Sequence, residues 1–236
     1  MPSLNRLVFL FITIALLGFS WPFSGLFSKS VTEPVGSQAW IQKEFQVLKQ
    51  HASNINAEVL RLSLTAYANA KKQGVTVTKP LLTVIDYSKP SSEKRLWVFD
   101  LKSGKELFNT WVSHGRNSGA ANANSFSNSS GSLKSSIGVF VTDEPYIGKN
   151  GYSLRLKGLE RGVNDNAYNR DIVIHGAWYV NPDTINRYGQ LGRSWGCPAV
   201  SKDLAQPIID TIKDDTLIVA YYPDRNWLTH SQFLVS

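Results

Sequence analysis

The stretch LLTVIDYSKPSSEKRLWVFDLKSGKELFNTWVSHG, residues 81–115, decides the fold class. It contains three short runs rich in β-branched and aromatic residues, LLTVIDYS, KRLWVFDL and ELFNTWVSHG, the last two joined by KSGK at Lys102–Lys105. Period-two runs of this length, separated by a tight glycine turn, predict strands joined as hairpins. Three further runs follow, SSIGVFVTDE, GYSLRLKGL and DIVIHGAWYV, and a last one, TLIVAYY, lies near the C-terminus. The pattern predicts a mainly β fold, a mostly antiparallel sandwich or barrel with a few helices, rather than repeated βαβ units. One helix is expected after Ser201, with Pro207 early in it.

Upstream the period changes. Between Ser37 and Gln73 the apolar residues Trp40, Phe45 and Leu48, then Ile55, Val59, Leu62 and Tyr67, recur at helical spacing. Two helices with a break near Ser53 and a stop at Gly74 fit this pattern. Before them, MPSLNRLVFLFITIALLGFS sets Arg6 ahead of an apolar run that continues through WPFSGLF. That is the layout of a secretory signal, or of a retained membrane anchor through residues 7–27, and either places the body outside the cytoplasm, in the periplasm or cell envelope. No cysteine lies near this leader, so a lipid-modified anchor is excluded. The expected organisation is a leader at 1–30, a helical segment at 31–79 and a β-rich domain at 80–236.

With 236 residues, of which 42% are hydrophobic and 11% aromatic, the chain suits one well-buried core, with or without a helical appendage. The formal charge is +7, and loss of Arg6 and Lys29 with the leader lowers it to +5. Because the basic residues are scattered, no nucleic-acid partner is expected. The segment GRNSGAANANSFSNSSGSLKSS, Gly115–Ser136, reads either as an inert flexible loop or as the rim of a substrate cleft.

Cys197 is the only cysteine. In an exported chain a lone thiol is an intermolecular bridge, an inert buried group or a reactive one, and its setting in Gly196-Cys197-Pro198 argues against plain core filling. Thiol catalysis needs a base and oxyanion donors, and His175, ending a strand-like run before Gly176, is the candidate base. A catalytic thiol of this kind is expected to alkylate quickly near neutral pH. His114 in VSHG either lines the same site or packs at a strand end, whereas His51 and His230 fall outside the motifs. No metal-ligand spacing is present, and neither a metal nor another cofactor is expected.

The pair HGAWYV and GRSWGCPA resembles the His-Gly and Ser-x-Gly-Cys signature of the L,D-transpeptidase catalytic domain, the YkuD-like fold. Together with LTVIDYSKPSSEKRLWVFDL, VSHGRNSG, FSN, SSIGVFVT and GYSLRLKGLERGVNDNAYNRDIVIHGAWYV, it is similar to the murein branch of that family across Leu82 to Tyr222. The resemblance implies that Cys197 accepts the acyl group of a peptidoglycan stem peptide as a thioester, with His175 as general base oriented by a backbone carbonyl. It implies further that Gly196 leaves room for the scissile carbonyl, that the amides of Trp195 to Cys197 bind the oxyanion, and that Ser194 orders the turn. A carbapenem is the implied covalent inhibitor. Two departures stand out, Trp195 where many relatives carry histidine and Ala199 where many carry arginine. Arg193 and Arg170 are then candidates for a stem-peptide carboxylate or plain surface charges, and Gly176 is a further candidate contact. Water as acceptor would make the same site an L,D-carboxypeptidase, and loss of turnover would leave a wall-binding module. A papain-like hydrolase is disfavoured because its cysteine precedes its histidine.

Overall fold

The computed structural model describes residues 33–52 and 54–235, so the leader read at 1–30 lies outside the described residues. Among them no helix is long and apolar enough to cross a membrane. The first helix, α1 (Gln38–His51), starts where the Ser37 hydroxyl accepts from Trp40 N, and α2 (Ala57–Lys72) where Asn56 Oδ1 accepts from Glu58 N and Val59 N. Such caps satisfy amides that have no partner within the helix. After α2 the chain turns at Gly74, whose φ of +82° lies in the left-handed region that glycine enters without strain.

Eight strands follow in a single, nearly closed sheet: β1 (Leu81–Asp86), β2 (Leu96–Asp100), β3 (Lys105–Thr110), β4 (Gly138–Gly148), β5 (Gly151–Gly158), β6 (Val173–Ala177), β7 (Ala199–Ser201) and β8 (Leu217–Tyr221). Their order across the sheet is β3-β2-β1-β8-β4-β5-β6-β7. Each predicted run supplies one strand, and the KSGK turn joins β2 to β3 as expected. Most pairs are antiparallel, but β1 with β8 and β6 with β7 run parallel. Alternation reports which face a side chain takes and not the direction of the neighbouring strand, so these two pairings were not readable in advance.

Three helices complete the fold: α3 (Pro182–Tyr188), α4 (Lys202–Ile212) and α5 (Arg225–His230). Helix α4 starts directly after Ser201, and Pro207 sits in its interior rather than near its start. It lies close against β6, where a Cβ on Gly176 would come within 3.0 Å of Ala205 Cβ and 3.2 Å of Lys202 Cα. Gly176, a candidate substrate contact, is thus needed for strand–helix packing.

The helical segment is no separate appendage. Trp40, Phe45, Leu48, Leu60 and Leu64 belong to the same buried cluster as Leu82, Val84, Trp97, Val219 and Ile209, and the Trp40 and Tyr67 rings stack at 5.8 Å. A second tie fastens the C-terminus. The buried Glu160 carboxylate accepts from Val139 N at 2.7 Å, from Trp227 Nε1 at 3.0 Å and from the Ser231 hydroxyl. Burial pushes the Glu160 carboxyl up, with these donors partly opposing the shift. Glu160→Ala strands all three donors in the core, so chemical denaturation is expected to show a loss of about 2–4 kcal/mol, well beyond a surface substitution.

Candidate active site

Parallel pairing of β6 with β7 brings the candidate base and nucleophile together. His175 is registered with Ala199, which places Cys197, two residues before Ala199, level with Val173. Residues 173 and 175 share a face of β6, so thiol and imidazole open onto the same side of the sheet. Both line one cavity of about 790 Å3, together with Leu133, Tyr146, Arg155, Tyr179 and Trp195.

His175 is buried, and its Nδ1 lies 3.1 Å from the carbonyl of Gly176. An Nδ1–H donated there leaves the Nε2 lone pair as the basic site. Burial holds the imidazole below its usual range, with the Gly176 carbonyl partly opposing. The Cys197 Sγ lies 3.3 Å from the Asp171 carbonyl, to which it donates. Burial pushes this thiol up, and the Val173 amide only partly offsets that. Both shifts favour a neutral thiol and a neutral imidazole, the opposite sense from the ready thiolate that fast alkylation at neutral pH would require.

The turn holding Cys197 is braced on every side. Ser194 N donates to His114 O at 2.9 Å, and Arg116 N donates to Ser194 O at 2.8 Å. The Ser194 hydroxyl donates to Cys197 O at 2.6 Å and accepts from Gly196 N at 3.1 Å. The Gly196 amide is thus engaged within the turn, which leaves the amides of Trp195 and Cys197 as the candidate oxyanion donors. Gly196 has φ +132°, and a Cβ there would press on Lys134 O at 2.9 Å and Ile172 Cδ1 at 3.0 Å. Both the turn and the packing beneath it require a glycine there.

The Asn/Ser/Gly-rich segment 115–136 forms a wall of the site. Ser135 Oγ accepts from Gly115 N at 3.0 Å and donates to Gly196 O at 2.9 Å, while Ser135 N donates to Ser118 Oγ at 2.9 Å. Arg170 clamps this segment, donating to Ser127 O, Ser136 Oγ, Ser132 Oγ and Lys134 O at 2.5–3.0 Å. Its guanidinium faces the cavity but is committed to the loop.

His114 is wholly buried, and its Nδ1 accepts from Arg95 Nη2 at 2.8 Å. Burial and then Arg95 bring its pKa down to about 4, so it is neutral and packs behind the nucleophile turn, outside the cavity lining. Arg193 is exposed at the cavity edge, donating through Nη1 to Gly119 O at 3.0 Å. Trp195 is 75% exposed and its side chain stands on the cavity rim.

Tyr146, Arg155 and Tyr179 were not read from the sequence. The Arg155 guanidinium stacks 4.4 Å from the Tyr146 ring and pairs with Asp171 at 3.5 Å. Burial, then Cys197, pushes the Tyr179 hydroxyl up to about 12. The aromatic doublet Trp178-Tyr179, directly after the His-Gly motif, was the available signal for that residue.

A family model described as the L,D-transpeptidase catalytic domain matches residues 51–221, from the end of α1 through β8. No curated protein matches the chain. Among solved structures, an L,D-transpeptidase from Mycobacterium smegmatis is 15% identical over 61% of this chain and 59% of its own, with a TM-score of 0.38. An L,D-transpeptidase solved in complex with imipenem is 17% identical over 61% and 59%, with a TM-score of 0.37. One from Stackebrandtia nassauensis is 12% identical over 78% and 91%, also at 0.37. The chain spans about three fifths of the length of the first two.

The electrostatics of the site predict how the thiol titrates. Iodoacetamide alkylation of Cys197 is expected to be slow at pH 7 and to rise with an inflection above the ordinary thiol range. An inflection below pH 7, followed by intact mass, would reveal a preformed thiolate–imidazolium pair instead.

Proposed function

Because the chain belongs to the L,D-transpeptidase catalytic-domain family, we propose that it is a peptidoglycan L,D-transpeptidase working by cysteine acyl transfer, with the leader at 1–30 carrying it to the cell envelope. The observation that carries this reading is the placement of the sole thiol, Cys197, in one cavity with His175, whose Nδ1 faces the Gly176 carbonyl.

As Cys197 Sγ attacks the carbonyl of the stem peptide, its proton passes to His175 Nε2. A carbon–sulfur bond forms, and the tetrahedral oxyanion is held by the Trp195 and Cys197 amides. Collapse breaks the carbon–nitrogen bond, and the leaving D-amino acid takes the proton from His175 as its amine. An acceptor amine then attacks the thioester and gives its proton to Nε2. The thiolate leaves and regains that proton, so acid and base roles balance over the cycle. The neutral resting pair suits this sequence, since His175 must start unprotonated.

A second cavity of about 600 Å3 shares His175 and Tyr179 with the first and is lined also by Trp178, Lys202 and Gln206. It offers an acceptor chain a place to lie with its amine led toward the thioester, which supports transfer to an amine. Incubation with purified disaccharide-tetrapeptides and mass analysis tests the assignment: cross-linked dimer supports it, shortened monomer assigns a carboxypeptidase, and unchanged substrate leaves a wall-binding module.

Two outcomes are expected at the chemical centre. Cys197→Ala abolishes product while the fold is retained by circular dichroism, and His175→Gln lowers turnover by about two to four orders of magnitude. A relative has been solved with imipenem, and a carbapenem is expected to add once to this chain, at Cys197. Intact mass shows the adduct, and its absence after prolonged exposure counts against a competent thiol.

A further inference from the structure

Two of the three arginines that line the catalytic cavity have little capacity left for a substrate carboxylate. Arg170 is committed to four acceptors of the 115–136 loop, and Arg155 to Asp171 and the Tyr146 ring. A stem peptide carries several carboxylates, and unpaired ones gain most from a planar guanidinium fork. Such forks lie next door. A separate cavity of about 600 Å3 beside α3 is lined by Arg116, Arg187 and Arg193, with the single carboxylate of Asp183 as counter-charge. Among the described residues none of these three arginines forms an ion pair.

This cavity also presents rings. Trp178 and Tyr188 line it at 72% and 67% exposure, an unusual investment of large apolar surface in solvent. The Trp178 and Tyr179 rings meet nearly perpendicular at 5.7 Å, while most of the Trp178 side chain stays open to solvent. Flat aromatic faces take up the apolar faces of sugar rings, as they do other ring systems. Arg193 and Tyr179 line both this cavity and the one that holds Cys197, so a ligand seated here adjoins the reacting centre.

We infer that the cavity beside α3 is a remote subsite for the saccharide end of a muropeptide and the stem carboxylate next to it, with Arg116 and Arg187 taking carboxylate and Trp178 and Tyr188 stacking sugar. The inference rests on the proposed function and names a substrate contact for that same site. It also explains how a chain with Ala199 beyond the nucleophile holds an anionic substrate without a basic side chain at that position.

The test separates binding from chemistry. Calorimetric titration of a disaccharide-tetrapeptide into full-length Cys197→Ala protein measures affinity without turnover. In that background Arg116→Gln with Arg187→Gln is expected to weaken binding at least tenfold, and Trp178→Ala at least threefold. The same muropeptide with its carboxylates converted to amides is expected to bind the Cys197→Ala protein as weakly as the acid form binds the double arginine variant. Equal affinity for acid and amide forms, or affinity unchanged by the arginine substitutions, overturns the subsite, as does no binding at all. Binding that follows the expected pattern in a chain whose unsubstituted form gives no product overturns the transfer reaction alone.

Discussion

A guanidinium with no access to solvent lies behind the Cys197 turn, and the shape of that turn follows from it. Arg95 donates through Nε and Nη2 to Val112 O at 3.1 and 2.9 Å, through Nη1 to Lys89 O at 2.7 Å and through Nη2 to His114 Nδ1. Burial brings its pKa down only to about 10, so the cation persists at neutral pH, with the Tyr87 ring 5.2 Å away. A buried charge is tolerated when its donors are met, and meeting them fixes the carbonyls that meet it. The segment 112–114 has left the regular ladder of β3, yet it is held well enough to donate Ser113 N to Ala199 O and to offer His114 O to Ser194 N. From Ser194 the brace passes to Gly196 and Cys197. His114 acts in this chain of contacts through its backbone oxygen and its imidazole acceptor, outside the lining of the cavity that holds Cys197.

The loop at 115–136 continues the same logic on the opposite side of the thiol. A composition of Ser, Asn and Gly is usually that of a linker, but the same residues are small and carry short polar arms. Ser118, Ser135 and Ser136 are buried here, and each hydroxyl meets a backbone group or another polar atom that close packing would otherwise strand. A Cβ on Gly115 would lie 2.5 Å from Leu133 O and 3.0 Å from Gly196 Cα, so the approach of loop to turn needs that glycine. Arg170 closes the assembly from the β5–β6 connection. Ala123 and Phe126 anchor this wall to the core, and hydrogen bonds shape the rest of it.

How much of this was legible in the sequence depended on the range of the signal. Strand runs, the KSGK turn and the two capped N-terminal helices are local patterns, and each lies where its periodicity put it. Helix α3 was locally signalled too, by the Asn181 cap, Pro182 at its first turn and Gly189 after it, but seven residues carry no clear apolar period. The three-residue β7 is too short to alternate, although it sets Cys197 against β6. Arg170 and Arg193 look alike as letters. Only the fold shows that one guanidinium is saturated by the loop and the other stands at a cavity edge. The engaged amide of Gly196 is a relation among three residues of one turn, which spacing could suggest but not assign.

The hydrogen bond from Cys197 to the Asp171 carbonyl bears on how the protein ages. Peroxides and disulfides react with thiolate and hardly at all with thiol. Asp171 holds a left-handed φ of +52°, which turns its carbonyl toward the sulfur while its side chain reaches out to Arg155. A sulfur biased toward its protonated form in this way presents less thiolate to an oxidant at neutral pH. Burial and the Asp171 carbonyl thus favour the form of this single thiol that is least open to oxidation.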